Sequence, residues 1–260
     1  MRAAASTSVP RTSQIGQAAI MAAGVVALAG LLRAVDWEYV RALDFRVVWE
    51  YRQTLLRGYA VTLLFTAGGA GCGMVLGTAL AVVSQSALRP IRWLVAAYVE
   101  FWRNTPLLVQ LIWIHFALPV FTGVNMPVNH SGFIGVMLNV AAYHTEIVRA
   151  GIEAIPRGQW EAAHALGLPT GSRWRHVILP QALRIIVPPA ASLVIGVFKA
   201  TAILAILGIG ELMRETIRVS EFTYKPVEVY TATALLYVLT GVLLSRVAGR
   251  LERRLRRSDR

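Results

Sequence analysis

Six apolar segments long enough to cross a lipid bilayer constrain the fold of this chain more than any other feature. A helix needs about 20 apolar residues to cross about 30 Å of hydrocarbon, and lipid offers the backbone no partners outside the helix itself. Only 15% of the residues are charged, whereas soluble domains carry about 25%. The sequence therefore predicts an all-α fold, a polytopic membrane helix bundle with spans at 15–32, 58–83, 93–120, 132–148, 185–209 and 229–247.

The distribution of charge predicts how these spans are oriented. The net charge is +12, which on one face of a soluble protein would suggest nucleic-acid binding. Sixteen arginines and four acidic residues instead fall in the segments 1–14, 84–92, 149–184 and 246–260, and the segments opposite them, 33–57 and 210–228, are balanced. Cytoplasmic loops are rich in arginine. We therefore expect a multi-pass inner-membrane protein with both termini in the cytoplasm, in contact with anionic lipid and not with nucleic acid.

The first apolar segment leaves two alternatives open. Arg2 and Arg11, an apolar stretch and small residues near Ala29 are typical of a cleaved signal peptide. The stretch is long for a signal core, which favours a retained first helix. Residues 33–57 carry tryptophan and tyrosine side chains of the kind found at headgroup depth, which predicts a helix or loop on the outer surface.

Gly69, Gly73 and Gly77 recur at four-residue spacing in the second apolar segment. On a helix they form one smooth stripe, which lets another helix approach closely. The spacing predicts a helix-packing surface, whose partner is either another helix of this chain or a second subunit.

A polar block interrupts the third apolar segment around Pro106. Proline frees the carbonyl four residues before it, and nearby polar side chains could bond to the broken backbone. Glu100 and Arg103 are three residues apart and could form an ion pair on one helix face. Charge at membrane depth either fixes a structure or lines a water-filled path, and both interpretations stay open. The candidate pathway residues here are Glu100, Arg103, Asn104, Thr105 and Gln110.

Lys199 and Thr201 interrupt the fifth apolar segment and are further candidates for the pathway lining. A lysine in an apolar run needs a partner or water. Glu146 is one possible partner, although it lies near the inner end of its own helix. The alternative is that Lys199 extends its ammonium group to the membrane surface.

The polar loop at 155–182 has its own predicted structure. Pro156 should end the preceding helix, and residues 159–166 favour a short helix with Gly167 as its C-cap and Pro169 as a stop. A second helical piece is expected at 172–178, with Ser172 as N-cap and an end before Pro180. Such a loop suits either a stiff projection towards a partner or an amphipathic helix on the lipid surface.

Five blocks from residue 51 to 250 resemble the permeases of the polar amino-acid uptake group of ABC importers, the histidine, glutamine and glutamate type. The blocks occur in the family's order and spacing, and a single one would be much weaker evidence. They are EFWRNTPLLVQ at 100–110, YHTEIVRAGI at 143–152, IPRGQWEAAHALG at 155–167, VILPQA at 177–182 and VPP at 187–189.

The resemblance implies a five-helix type I ABC importer core with one extra N-terminal helix. It implies three regions: 1–50 with the extra helix, 51–250 as the transmembrane domain, and 251–260 as a basic tail. Implied partners are an ABC ATPase dimer that binds ATP and Mg, a second permease subunit of identical or related sequence, an external solute-binding protein and an amino-acid substrate. The ATPase-coupling loop would present Glu161, Ala162, Ala163, Gly167, Leu179 and Pro180.

The sequence departs from the family pattern in the fifth segment. Many relatives have Lys-x-Thr-Ser-Leu there, and this chain has alanine at position 202 in place of the serine. If that hydroxyl contacts substrate in relatives, the selectivity of this chain differs.

A secondary transporter and a membrane enzyme are the competing functions. Secondary carriers often show paired repeats with helices broken at corresponding positions, whereas this sequence has one break and no paired repeat. It contains no H-E-x-x-H or G-x-S-x-G motif and no G-x-x-x-x-G-K-[ST] phosphate loop, and its single cysteine, Cys72, has no partner for a metal site. We therefore expect no catalytic residues, no metal and no cofactor bound by this chain.

Overall fold

The computed structural model describes residues 11–86 and 88–257, and every regular element within these ranges is helical. The prediction of an all-α fold is confirmed. The chain divides between Asp44 and Phe45 into two compact units. The boundary expected at residue 50 from the family resemblance stays a prediction.

The first unit contains α1 (Arg11–Ala34) and α2 (Trp37–Ala42). α1 covers the first apolar segment as one helix. α2 begins where the Asp36 side chain accepts hydrogen bonds from the N–H groups of Glu38 and Tyr39, both at 3.0 Å. These bonds satisfy two of the free donors at the start of a helix.

The second unit contains the remaining helices of the described residues. They are α3 (Arg46–Glu50), α4 (Arg52–Val83), α5 (Arg89–Asn104), α6 (Leu107–Thr122), α7 (Val128–Glu153), α8 (Arg157–Ala165), α9 (Thr170–Leu207), α10 (Leu212–Thr223) and α11 (Pro226–Arg257). Three of these helices contain a π turn, at Phe65–Gly69 in α4, at Trp113–Ala117 in α6 and at Trp174–Ile178 in α9. The last part of α9, Thr201–Leu207, is a 3₁₀ helix.

Among the described residues, α4, α9 and α11 are long and apolar enough to cross a membrane, and α5 with α6 forms a fourth candidate. α5 and α6 meet at 108°, so the third apolar segment breaks at Pro106 as predicted but is also sharply bent there. α7 has the length of a span at 26 residues. It is not among these candidates, and it carries the polar residues Asn139, His144 and Glu146.

The glycine stripe of α4 lies against α7, within the same chain. A Cβ atom built on Gly73 would stand 2.7 Å from the carbonyl oxygen of Met137, and one on Gly77 would stand 2.6 Å from that of Ala141. A Cβ on Gly69 would meet the Val136 side chain at 2.8 Å. The two backbones therefore approach to a distance that only glycine permits.

The start of α9 differs from the prediction. The expected second helical piece, with Ser172 as N-cap and an end before Pro180, is wrong. α9 begins at Thr170, directly after Pro169, and continues through Pro180 for 38 residues. The π turn immediately before Pro180 explains the continuity, because the wider turn accommodates a residue that has no N–H to donate.

A cluster of buried side chains next to α8 packs α4, α7 and α9 together. Its members are Ala81, Val148, Ile155, Ile178, Ala182 and Ile186. We call it the inner core cluster. Because Ile155 follows α7 directly and Ile178 lies in the first turns of α9, the cluster holds the two ends of the α8 connection together.

Candidate functional site

The bend between α5 and α6 is built from backbone that Pro106 leaves unpaired. Proline cannot donate to the carbonyl oxygen of Trp102, four residues earlier. The side chain of Gln110 does so instead: its Nε2 donates to the Trp102 oxygen at 2.7 Å and to the Thr105 oxygen at 3.0 Å. Gln110 is only 4% exposed. A buried amide therefore replaces the missing helical hydrogen bond and fixes the bend.

Asn104 and Thr105 bond to the end of α5 in the same way. Asn104 Nδ2 donates to the backbone oxygen of Glu100 at 2.9 Å and to its carboxylate at 2.7 Å. Thr105 Oγ1 donates to the Phe101 oxygen at 2.8 Å. The prediction that polar side chains repair the broken backbone is confirmed for these two residues and for Gln110.

The predicted ion pair between Glu100 and Arg103 is wrong. The carboxylate of Glu100 accepts from Asn104, and the guanidinium group of Arg103 faces α7, where Nη1 lies 3.9 Å from Oε2 of Glu146. Arg103 also lies over the ring of Tyr143, 5.7 Å from its centroid. Arg103 turns to Glu146 because α7 packs beside the bend, while the Glu100 carboxylate is already bonded to Asn104.

A cavity of about 410 Å³ opens at this bend, between α5, α6, α7 and α9. We call it the kink cavity, and its size is within the range of small-molecule sites. Apolar side chains such as Leu107, Val136 and Leu193 form much of its wall. The polar groups that line it are Arg103, Asn104, Thr105, Asn139, Tyr143 and Thr201.

The structure brings some of the predicted pathway residues together and separates others. Arg103, Asn104, Thr105 and Thr201 line the kink cavity, and Gln110 stands behind its wall. Lys199 lies two residues from Thr201 but on another face of α9. It is exposed and lines a separate cavity of about 590 Å³ between α9 and α11.

Asn139 and Tyr143 are functional candidates that the sequence reasoning missed. Asn139 Nδ2 donates to Oε1 of Gln110 at 2.9 Å, and the Tyr143 hydroxyl donates to the backbone oxygen of Arg103 at 3.3 Å. Their four-residue spacing places both on the face of α7 that meets the bend. That spacing, with Glu146 three residues further on, was the available signal.

Replacing Gln110 with leucine should destabilise the bend. The Trp102 oxygen and the Asn139 amide would each lose their shorter hydrogen bond and keep only the 3.5 Å contact with one another. A buried group left unsatisfied costs about 1–3 kcal/mol. We expect the melting temperature of the purified protein in detergent, followed by tryptophan fluorescence, to fall by several degrees. The matched control is Ser245→Ala, which removes a hydrogen bond to a carbonyl inside α11. Equal melting temperatures for the two variants would contradict the proposed role of Gln110.

α8 ends in a compact cap that the sequence predicted. Gly167 has φ of +67°, in the left-handed region that glycine adopts without strain. Its N–H donates to the His164 oxygen at 2.9 Å, and the N–H of Leu168 donates to the Ala163 oxygen at 3.2 Å. This pair of bonds is a Schellman motif. It satisfies the last carbonyls of α8 and turns the chain sharply towards α9.

Side-chain contacts fix α8 to the start of α9. The rings of Trp160 and Trp174 meet edge to face, with centroids 5.3 Å apart. Gln181 Nε2 donates to Oε1 of Gln159 at 3.1 Å. Together with the inner core cluster, these contacts make α8 a supported projection.

The residues expected in the coupling loop occupy different environments. Glu161, Ala162 and Gly167 are exposed, and Leu166 beside them is 78% exposed. Ala163 is 2% exposed and faces the interior of the chain. Leu179 and Pro180 are exposed but belong to α9, because the helix starts earlier than predicted. A partner that binds α8 therefore meets Glu161, Ala162, Leu166 and Gly167.

One buried acidic group lies at the other end of α9, outside the spans. Glu211 is 0% exposed, and its carboxylate accepts hydrogen bonds from the N–H groups of Met213 and Arg214 at 3.0 and 2.8 Å. The hydroxyls of Thr62 and Tyr237 also donate to it, at 3.2 and 3.3 Å. Burial raises the pKa of Glu211, while these four donors oppose the change. The carboxylate thus joins α4, α10 and α11.

No group of three or more histidine, cysteine, aspartate or glutamate side chains within the described residues is arranged to hold a metal ion. The chemistry available at the kink cavity is hydrogen bonding by amide and hydroxyl groups beside one guanidinium group. Such a set suits the binding of a small polar solute.

Comparison with known proteins gives consistent matches. Residues 73–257 match the family model described as binding-protein-dependent transport system inner membrane component. The arginine transport system permease protein of Bacillus subtilis (strain 168) is 35% identical over 217 residues, which cover 84% of this chain and 99% of that protein. A probable glutamine ABC transporter permease protein of the same organism is 32% identical over 216 residues, which cover 83% of this chain and 100% of that protein.

A solved structure shows the same fold. A crystal structure of an amino acid ABC transporter with histidines matches with a TM-score of 0.78 and 34% identity, over 82% of this chain and 99% of that chain.

Proposed function

The chain belongs to the family of binding-protein-dependent transport system inner membrane components, as a permease component of an amino-acid ABC importer, and we propose that it translocates a polar amino acid or close analogue under the control of a separate ATPase. It is a multi-pass protein of the inner membrane. The proposed cycle alternates access to the kink cavity between the two sides, with energy entering through α8.

The geometry of α8 is the observation that carries the coupling proposal. A short helix that transmits force must not bend at its base. α8 begins directly after Pro156, ends in the Schellman motif at Gly167, and is fixed by Trp160 against Trp174. Glu161 and Leu166 are exposed on it. An ATPase that binds these residues and moves would displace the ends of α7 and α9 together.

The kink cavity supports the proposed substrate class. Its amide and hydroxyl groups can bond to an amino acid, and the guanidinium group of Arg103 can pair with the α-carboxylate that all amino acids carry. The two relatives named above are described as arginine and glutamine permeases. This chain's own polar groups fit a solute of that general class.

The proposal includes partners and a topology. ATP and Mg bind to the ATPase dimer, since this chain lacks a phosphate-loop motif. Two permease subunits, identical or related, enclose the pathway, and an external solute-binding protein delivers the substrate. The excess of arginine in the segments that include α8 and the end of α11 supports cytoplasmic placement of both termini and of α8.

Reconstitution tests the proposed function. The chain is purified with the ATPase and binding protein encoded beside it, placed in proteoliposomes, and assayed for uptake of radiolabelled amino acids. We expect uptake that requires ATP inside the vesicle on the α8 side and that stops when the ATPase is omitted. Transport by this chain alone under a proton or sodium gradient would instead identify a secondary carrier and overturn the proposal.

A further inference from the structure

A polar stripe runs along one face of α7 from the kink cavity to the base of α8. Spacings of three and four residues place its members on the same side of the helix. They are Asn139, Tyr143, Glu146, Arg149 and Glu153. Since charges in a membrane helix are costly, an unbroken charged stripe needs a structural or functional reason.

Three of these side chains form continuous ion pairs. Arg149 Nε donates to Oε2 of Glu146 at 3.0 Å, and Nη2 of the same guanidinium group bonds to the other oxygen of that carboxylate. Arg149 Nη1 donates to both oxygens of Glu153 at 2.7 Å. One guanidinium group thus holds two carboxylates, so Glu146, Arg149 and Glu153 are constrained to move as a unit.

The stripe ends at the two places that the proposed function must connect. Glu153 is the last residue of α7, three residues before Pro156, which precedes α8. At the other end, Glu146 faces Arg103, which lines the kink cavity and lies in the last turn of α5, just before the bend. This series of charged residues therefore connects the base of α8 to the wall of the kink cavity.

The contact between Arg103 and Glu146 is the longest in this series of ion pairs. Its 3.9 Å separation is longer than a hydrogen bond, whereas the pairs on α7 are at bonding distance. The Nε atom of Arg103 is buried and has no partner in this conformation. A small shift of α7 along α5 would bring the guanidinium group of Arg103 within hydrogen-bond distance of Glu146.

We propose that Glu146 and Arg149 are positioning residues that transmit displacement of α8 to Arg103, and so couple ATP hydrolysis by the partner to rearrangement of the kink cavity. This inference rests on the proposed function. The alternative is that the ion pairs only stabilise α7, as pairs at this spacing do weakly on exposed helices. The two roles predict different results when one of these charged side chains is replaced by an uncharged one. Coupling of ATP hydrolysis to import is lost if the residue transmits displacement, and is kept if the ion pair only stabilises α7.

A double-mutant cycle in the reconstituted complex tests the proposal. Glu146→Gln, Arg149→Gln and the double variant are compared for ATP hydrolysed per amino acid imported, and melting temperatures are measured alongside. We expect each single variant to keep ATP hydrolysis within about twofold and to raise this ratio about tenfold or more. The double variant should be no worse than either single one, because both changes break the same link.

Two further variants complete the experiment. Arg218→Gln removes an ion pair of the same i, i+3 spacing, between Glu215 and Arg218 on α10, and should leave the ratio unchanged. Should a glutamine variant fail to assemble, the cycle is repeated with Arg149→Lys and Glu146→Asp, which keep the charges but alter the reach. Additive effects of the two single substitutions on this ratio would overturn the proposed link. So would a ratio in the variants equal to that of a wild-type complex that imports with ATP. Failure of the wild type to import would count against the proposed function instead.

Discussion

Replacing Gly167 with valine is expected to reduce ATP-driven uptake by an order of magnitude or more while leaving the protein folded. The glycine has φ of +67°, and a β-branched residue in that region costs about 1–2 kcal/mol. Apart from its chain neighbours, no atom of the described residues lies within 4 Å of a Cβ built at this position, so the damage should be confined to the cap. The last turn of α8 would open and carry Leu166 away from the surface that a partner meets. The measurement is uptake and ATP hydrolysis by the reconstituted complex.

Two controls make this result interpretable. Gly167→Asn introduces a side chain that tolerates the left-handed conformation, and we expect it to keep most of the uptake. Gly171→Ala, four residues later, also meets no atom within 4 Å and lies in the first turn of α9, so it should behave as wild type. Wild-type uptake by the valine variant would show that the cap is dispensable for coupling.

Replacing Gly73 with leucine should prevent the helix bundle from assembling. Even a Cβ atom there would stand 2.7 Å from the carbonyl oxygen of Met137, and a backbone atom cannot move aside as a flexible side chain can. Overpacking a core typically costs about 1–3 kcal/mol, and displacing two whole helices should cost at least that. We expect the yield of monodisperse protein in detergent to collapse, as measured by size-exclusion chromatography and thermal unfolding.

Gly71 provides the matched control on the same helix. A Cβ atom built on it meets nothing within 4 Å, so Gly71→Leu changes the sequence equally without entering the α4–α7 contact. A normal yield and melting temperature for this variant, beside loss of the Gly73 variant, would establish close packing as the cause. Two equally stable variants would show that α4 and α7 do not approach as closely as described.

Features that depend on local sequence could be predicted. The apolar spans that correspond to α4, α9 and α11, the break at Pro106 and the C-cap at Gly167 each follow from residues within a few positions of one another. The repair of the bend by Asn104, Thr105 and Gln110 could also be predicted, because the proline and the polar groups lie within one or two helical turns. In these cases short-range geometry alone decides the outcome.

Features that depend on packing between helices could not be predicted. The spacing of Glu100 and Arg103 favours an ion pair, yet Arg103 turns to Glu146 because α7 packs beside the bend. The spacing of the glycines predicts a contact but not that α7 makes it. Pro180 looks like a stop, and only the π turn before it shows why α9 continues. Periodicity identifies the face of a helix but not its neighbour.

The length of α11 has a consequence for how motion spreads through the molecule. Its 32 residues extend about 48 Å, against about 30 Å of hydrocarbon. Roughly three turns of the same helix therefore lie outside the hydrocarbon if it stands upright, and its arginine-rich C-terminal portion is the part suited to that position. Any tilt that α11 undergoes within the lipid is magnified at that protruding tip, which would sweep through a wide arc in the aqueous phase.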